Sequence, residues 1–205
     1  MMRLVRPPDS PVMWVKGLDV TANYNKMIEG LVGEWFWIMG DDHIFDPLLL
    51  IQLLNHELDV VVPLCLQRGP PFLPVVYSRE ELNADGVPEF ETALLPPTGV
   101  VEVHAAGTAG MLIRKHVLDV LERPVFQTSG FHQNEDLNLC KKIREAGFKI
   151  HCDVDARLGH IGVFGIFPLW VGDRFGMALE NSGALIPIFP PDSEQEGEEV
   201  PIGAA

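Results

Sequence analysis

The sequence predicts an α/β fold in which helices pack on a buried sheet. Three observations predict it. Segments with helical periodicity alternate with short, continuous apolar runs. Glycines, prolines and acidic clusters punctuate the boundaries between them. The chain has 205 residues, 47% hydrophobic and 21% charged, which is enough for one domain with a real core.

Taken in order, Asp19 to Val32 reads as a helix: Asp19 or Thr21 caps it, Tyr24, Met27, Ile28 and Leu31 fall at helical spacing, and Gly33 ends it. Trp35–Met39 is an apolar run suited to a strand covered on both faces, and it stops at Gly40-Asp41-Asp42-His43. Asp46-Pro47 opens a second helix through Leu54, with aspartate as cap and proline in the first turn. Asp59–Leu66 is another buried strand, where Pro63 marks a bulge or an edge.

The proline-rich stretch from Arg68 to Pro97 reads as mostly irregular. Val100–Val103 is a strand, and Gly107-Thr108-Ala109-Gly110 precedes the apolar run Met111-Leu112-Ile113. Asn134–Ala146 is the clearest helix: acids open it, bases close it and Gly147 stops it. Lys149–Cys152 and Ala156–Leu158 read as two further strands, and Trp170 and Phe175 as part of a closing helix or an oligomer contact. Residues 1–185 are expected to form one domain and 186–205 an acidic, disordered tail.

A formal charge of −14 argues against broad electrostatic binding of nucleic acid or of an anionic membrane. No apolar run reaches the roughly 18–20 residues of a membrane span. Three cysteines without paired spacing suggest neither a disulfide framework nor a zinc ribbon, so the expected setting is cytoplasmic.

Chemistry is expected beyond the carboxyl ends of the strands. Asp41, Asp42 and His43 sit at such an end, and neighbouring carboxylates there are costly unless a cation compensates them. Oxygen ligands suit Mg²⁺, while an imidazole moves the preference towards Mn²⁺. The same acids would equally cap the following helix. The glycines of Gly107–Gly110 permit close backbone approach to a ligand, or simply turn the chain. Glu135 and Asp136 complement a helix dipole, and one of them could serve as a general base. His104, His116, His132 and His151 show no metal spacing.

The order of these motifs resembles the GT-A glycosyltransferases, particularly the family-2-like ones. Asn25, Gly33, Trp35–Met39 and the acidic cluster follow one another as in that family. In one register the Asp-x-Asp motif falls on Gly40 and Asp42, so its first acid is absent; in the other, Asp41-Asp42-His43 resembles an Asp-x-His variant. Gly107-Thr108-Ala109-Gly110 is similar to the segment that lines the sugar and acceptor site, Asn134-Glu135-Asp136 to the Glu-Asp motif, and Gly159-His160-Ile161-Gly162 to the histidine that completes the metal shell.

The resemblance implies a GT-A-like, Rossmann-related mixed and mostly parallel sheet flanked by helices. It implies a divalent metal, Mn²⁺ before Mg²⁺, held by Asp42, His43 and His160, and a UDP- or GDP-sugar donor with an acceptor it does not name. Asp136, or second Glu135, would be the base of an inverting reaction. Asn25, Asp41, Arg68, Gly107, Thr108 and Gly110 would contact donor or acceptor. The family's opening strand, helix and strand are reduced here to Met1–Lys16, where Val12–Val15 supplies one strand. An inactive GT-A-like binding or assembly module, and a related nucleotidyltransferase or metal-assisted hydrolase, are the competing readings.

Overall fold

The computed structural model describes residues 4–17, 19–128, 134–172 and 174–189. The chain forms two compact units: one holds the residues up to Leu66 together with Leu73–His160, and the other holds Gln67–Phe72 with the residues from 161 onward.

The first unit is mixed α/β. Helix α1 (Val20–Glu29) starts at Asp19, whose carboxylate accepts from the Thr21 backbone N–H. Two short strands follow, β1 (Trp35–Trp37) and β2 (His43–Phe45). Helix α2 (Leu49–Leu54) is entered through Asp46, whose Oδ1 accepts from the Leu48 N–H at 2.7 Å. Then come β3 (Val60–Cys65), β4 (Val76–Leu82), β5 (Pro88–Thr92), β6 (Val100–Val103), β7 (Ala105–Ala106) and β8 (Leu112–Arg114). Helices α3 (Lys115–Val120) and α4 (Glu135–Glu145) precede the long strand β9 (Ile150–His160).

The main sheet runs β1-β8-β3-β9-β2, and β6 also pairs with β9. Among the described residues only β3 and β9 are parallel in this sheet; the other pairings are antiparallel. The expected mostly parallel sheet is therefore corrected. Continuous apolar runs report burial on both faces, whatever the direction of the neighbouring strand. Both faces are indeed covered. Val60 and Val62 point to one core with Ile28, Leu118, Leu139 and Ile143, while Val61 points to the other with Leu49 and Leu53. Leu53 is fully buried, so truncating it to alanine should cost about 2–5 kcal/mol.

Pro63 lies where the β3–β9 register breaks: Pro63 aligns with Asp153, and the next residue, Leu64, aligns with Arg157. Proline offers no N–H to the ladder, so a break there costs no backbone bond. The bulged segment of β9 is tied down by the buried Asp153. Its Oδ1 accepts from the N–H groups of Asp155 and Ala156, and its Oδ2 from Gln52 at 3.0 Å, with His56 Nε2 at 2.7 Å. This bulge joins into one strand the two that the sequence suggested.

Two further expectations change. The Arg68–Pro97 stretch contains the β4–β5 hairpin, closed by a turn in which Gly86 has φ +75° and Asn83 Oδ1 accepts from the Asp85 and Val87 N–H groups. Most of its side chains face solvent, so it leaves no apolar run in the sequence. Val12–Val15 forms no strand, and Trp14 there is exposed.

The second unit carries an antiparallel sheet of β10 (Gly165–Val171), β11 (Arg174–Asn181) and β12 (Ala184–Ile188). The expected closing helix is thus a hairpin: Trp170 pairs with Phe175 across β10 and β11, their ring centroids 5.0 Å apart. Alternating aromatic and β-branched residues around Gly172, at φ +63°, favour strands and a turn. Of the expected tail, 186–205, the first residues belong to β12 (Ala184–Ile188), and those from 190 onward, like His132, lie outside the described residues. No helix among the described residues is long and apolar enough to cross a membrane.

Candidate functional site

The candidate site lies in the first unit, where β2 and the end of β9 run side by side. Antiparallel pairing puts His43 directly opposite His160. In such a pair the two side chains leave the same face of the sheet. Their rings stack with centroids 4.8 Å apart and planes 19° from parallel. Asp42, just before β2, turns its carboxylate to both: Oδ1 is 3.1 Å from His43 Nδ1, and Oδ2 is 3.2 Å from His160 Nε2.

His160 Nδ1 is 3.1 Å from the Leu66 carbonyl, a bond that needs the proton on Nδ1. Nε2 then meets the Asp42 carboxylate either as the second N–H of an imidazolium or as a lone pair. In the second case two electron-rich atoms face one another, an arrangement that a shared cation relieves. The donor set of two imidazoles and a carboxylate suits a divalent transition metal. Gly40 packs against the cluster: a Cβ there would lie 2.7 Å from both Asp42 Oδ1 and His43 Nδ1. Asp41, by contrast, is exposed in the turn.

A second group gathers at the start of α4. Asp136 is half-buried, and its Oδ1 accepts from the Leu137 N–H at 2.7 Å. Burial pushes its carboxyl up from 3.8 to about 6; the Leu137 bond opposes this and the neighbouring Glu135 charge adds to it. The sequence suggested that the helix N-terminus would hold Asp136 well ionised, and desolvation outweighs that effect. Gly107 adjoins it: a Cβ at Gly107 would stand 3.7 Å from Asp136 Oδ2.

Tyr24 connects the two groups. Burial pushes its hydroxyl up, a hydrogen bond with Thr108 opposes that, and the charges of Glu135, Asp136 and Asp42 raise it further. One phenol thus responds to the base candidate and to the metal candidate together.

Other candidates are used differently. The Asn25 amide donates to the Phe126 carbonyl at 2.8 Å and accepts from the Phe126 N–H at 3.0 Å, so it fastens α1 to the 126 loop. Gly110, at φ +71°, packs its Cα against Pro63, and its carbonyl accepts from Trp37 Nε1. Arg68 is exposed and belongs to the second unit.

Sequence reasoning missed two residues. Tyr24 was counted as one of the apolar positions of α1, and its hydroxyl gives no periodic signal. Cys65 was weighed only for disulfide or zinc-ribbon spacing, yet His43, Cys65 and His160 each offer a ligand atom, all within 4.8 Å of one another. No sequence spacing marks Cys65, which reaches the two histidines only because β3 pairs with β9.

No family model matches the chain and no curated protein matches it. Among solved structures it is similar to A197 from STIV, at 14% identity, covering 88% of this chain and 81% of that one, with a TM-score of 0.49. It is also similar to GalNAc-T7, whose crystal structure contains UDP, GalNAc and Mn²⁺, at 15% identity and a TM-score of 0.48. That match covers 69% of this chain and 30% of GalNAc-T7. Likeness at this level carries no argument about activity. The site stands on its own geometry.

Proposed function

We propose that the chain is a metal-dependent glycosyltransferase that moves a sugar from a UDP- or GDP-sugar to an acceptor hydroxyl. One observation carries the reading: Asp42 and His43 meet His160, which lies 118 residues after Asp42, at the tips of β2 and β9. The motif order that resembles GT-A enzymes supplies the reaction class.

In this reading Asp42, His43 and His160 hold a divalent cation, Mn²⁺ in preference to Mg²⁺. When bound, the cation neutralises charge on the departing nucleoside diphosphate. Asp136 takes the proton of the acceptor hydroxyl while that oxygen attacks the anomeric carbon. The bond from that carbon to the phosphate oxygen breaks, and the diphosphate leaves with the electron pair. A base must be ionised yet still basic, and a carboxyl titrating at about 6 satisfies both at neutral pH. Gly107 presents no side chain beside Asp136, Thr108 is assigned with it to donor or acceptor contacts, and Glu135 is the second-choice base. Asp41 is assigned to donor or acceptor contacts.

The test is thermal melting of the whole chain with UDP or GDP, each with and without Mn²⁺, followed by hydrolysis of the corresponding sugar donors. A metal-dependent rise in Tm that disappears in Asp42→Ala and His160→Ala is expected. If no nucleoside diphosphate shifts Tm in the presence of Mn²⁺, the reading fails.

A further inference from the structure

We infer that Cys65 is a fourth ligand of the metal at the β2–β9 tips, and that the site therefore selects Zn²⁺ or Co²⁺ over Mn²⁺. The inference rests on the metal site proposed above and concerns which ion that site takes.

A buried cysteine is usually a small apolar side chain and no more. Cys65 sits at the end of β3, 1% exposed, packed with Leu49, Leu53 and Leu158. What sets it apart is its company. Parallel pairing aligns Cys65 with Leu158 on β9, two residues before His160, which faces His43 on β2. Three neighbouring strands thus each deliver one nitrogen or sulfur donor to the same end of the sheet.

The donor atoms of His43, Cys65 and His160 lie within 4.8 Å of one another. Tetrahedral bonds of about 2.0–2.3 Å place donors about 3.3–3.8 Å apart, so the cluster needs to contract by only about 1 Å. Asp42, whose Oδ2 lies 3.2 Å from His160 Nε2, supplies the fourth donor, and expansion to five-coordination would admit a diphosphate oxygen.

The shell around the site agrees. The Leu66 carbonyl accepts from His160 Nδ1 at 3.1 Å and so orients that ligand; it also accepts from the Cys65 thiol at 3.6 Å, a bond that coordination of the thiolate would replace. A histidine that gives one ring N–H to a carbonyl presents the other nitrogen as a ligand. Coordination would release the thiol proton to solvent and pair the thiolate with the cation. Two imidazoles and a carboxylate suit divalent transition metals in general, and adding a thiolate moves the preference further towards softer, tetrahedral ions and away from Mn²⁺.

The experiment titrates the whole reduced chain with Co²⁺ and records its absorption, then competes with Zn²⁺ and with Mn²⁺. A sulfur-to-cobalt charge-transfer band should appear in the near ultraviolet and vanish in Cys65→Ser, while visible ligand-field bands persist. Zn²⁺ affinity should fall about tenfold or more in that variant, since loss of a ligand should cost at least as much as loss of an outer-shell partner. Mn²⁺ affinity should change little. X-ray absorption of the Zn²⁺-loaded parent needs no variant and should show one sulfur at about 2.3 Å. A shell of nitrogen and oxygen alone, at saturating Zn²⁺, overturns the Cys65 assignment and leaves the proposed function standing. Failure to bind Zn²⁺, Co²⁺ or Mn²⁺ overturns both.

Discussion

Replacing Asp136 with asparagine should stabilise the fold while removing the proposed base. The carboxyl titrates at about 6 in the folded chain against an ordinary 3.8, so the native state holds its proton more tightly than the unfolded state does. At 1.36 kcal/mol per tenfold change, ionising it costs the folded chain up to about 3 kcal/mol more than the unfolded one. Asparagine keeps an oxygen to accept from the Leu137 N–H, but its amide is also partly desolvated. A net gain of about 1–2 kcal/mol is the realistic expectation.

The sign follows from the direction of the shift. Well below pH 3.8 the aspartate is neutral in both states, and the parent and Asp136→Asn should differ little. As pH rises from about 4 to 6 the parent loses stability relative to the variant, and above that the difference stays constant. In thermal melts at neutral pH the variant should gain about 2–8 °C, given roughly 2–4 °C per kcal/mol for a chain of this size. A gap in Tm that is the same at pH 4 and pH 7.5, or a variant that loses stability as pH rises, would refute the argument that burial sets this carboxyl's affinity for its proton.

Two structural predictions accompany it. Gly110→Ala must adopt φ +71° and would put a Cβ 2.6 Å from Pro63 Cγ, so urea denaturation should show a loss of about 2–4 kcal/mol with an unchanged m-value. Asn25→Ala leaves the Phe126 N–H and carbonyl without their side-chain partner and should cost about 2–3 kcal/mol by the same assay, leaving the KM for any sugar donor unaltered. A raised donor KM at unchanged stability would instead return Asn25 to the donor site.

The sequence was most legible where a local signal decides the outcome. Asp19, Asp46 and Gly147 announce helix ends through their own backbone and side-chain bonding, and the structure places helix ends beside each. The Trp35–Met39 and Asp59–Leu66 runs announce strands because the sheet is covered on both faces. Strand direction was not legible, since burial writes the same apolar run for parallel and antiparallel neighbours. The β4–β5 hairpin was missed because exposed polar residues interrupt its shielded ones and leave no continuous apolar run, and the apolar Gly165–Val171 segment does not by itself separate strand from helix. At the site, motif order pointed to Asp42, His43 and His160, and the structure brings them together. The same reasoning could not separate a glycine that serves a ligand from one that serves packing, as Gly110 does against Pro63. It overlooked Cys65 because a metal site assembled from distant strands has no spacing rule.

The arrangement around β9 bears on how the chain comes to exist. This one strand is the common neighbour of β2, β3 and β6, yet it lies late in the sequence. During synthesis those three strands would emerge with exposed hydrogen-bonding edges and wait for residues 150–160 before the sheet can close. Non-local pairing of this kind folds slowly and leaves nascent chains prone to association. A ribosome-stalled chain ending before Ile150 should therefore remain protease-sensitive, and release of the segment beyond it should mark the onset of protection.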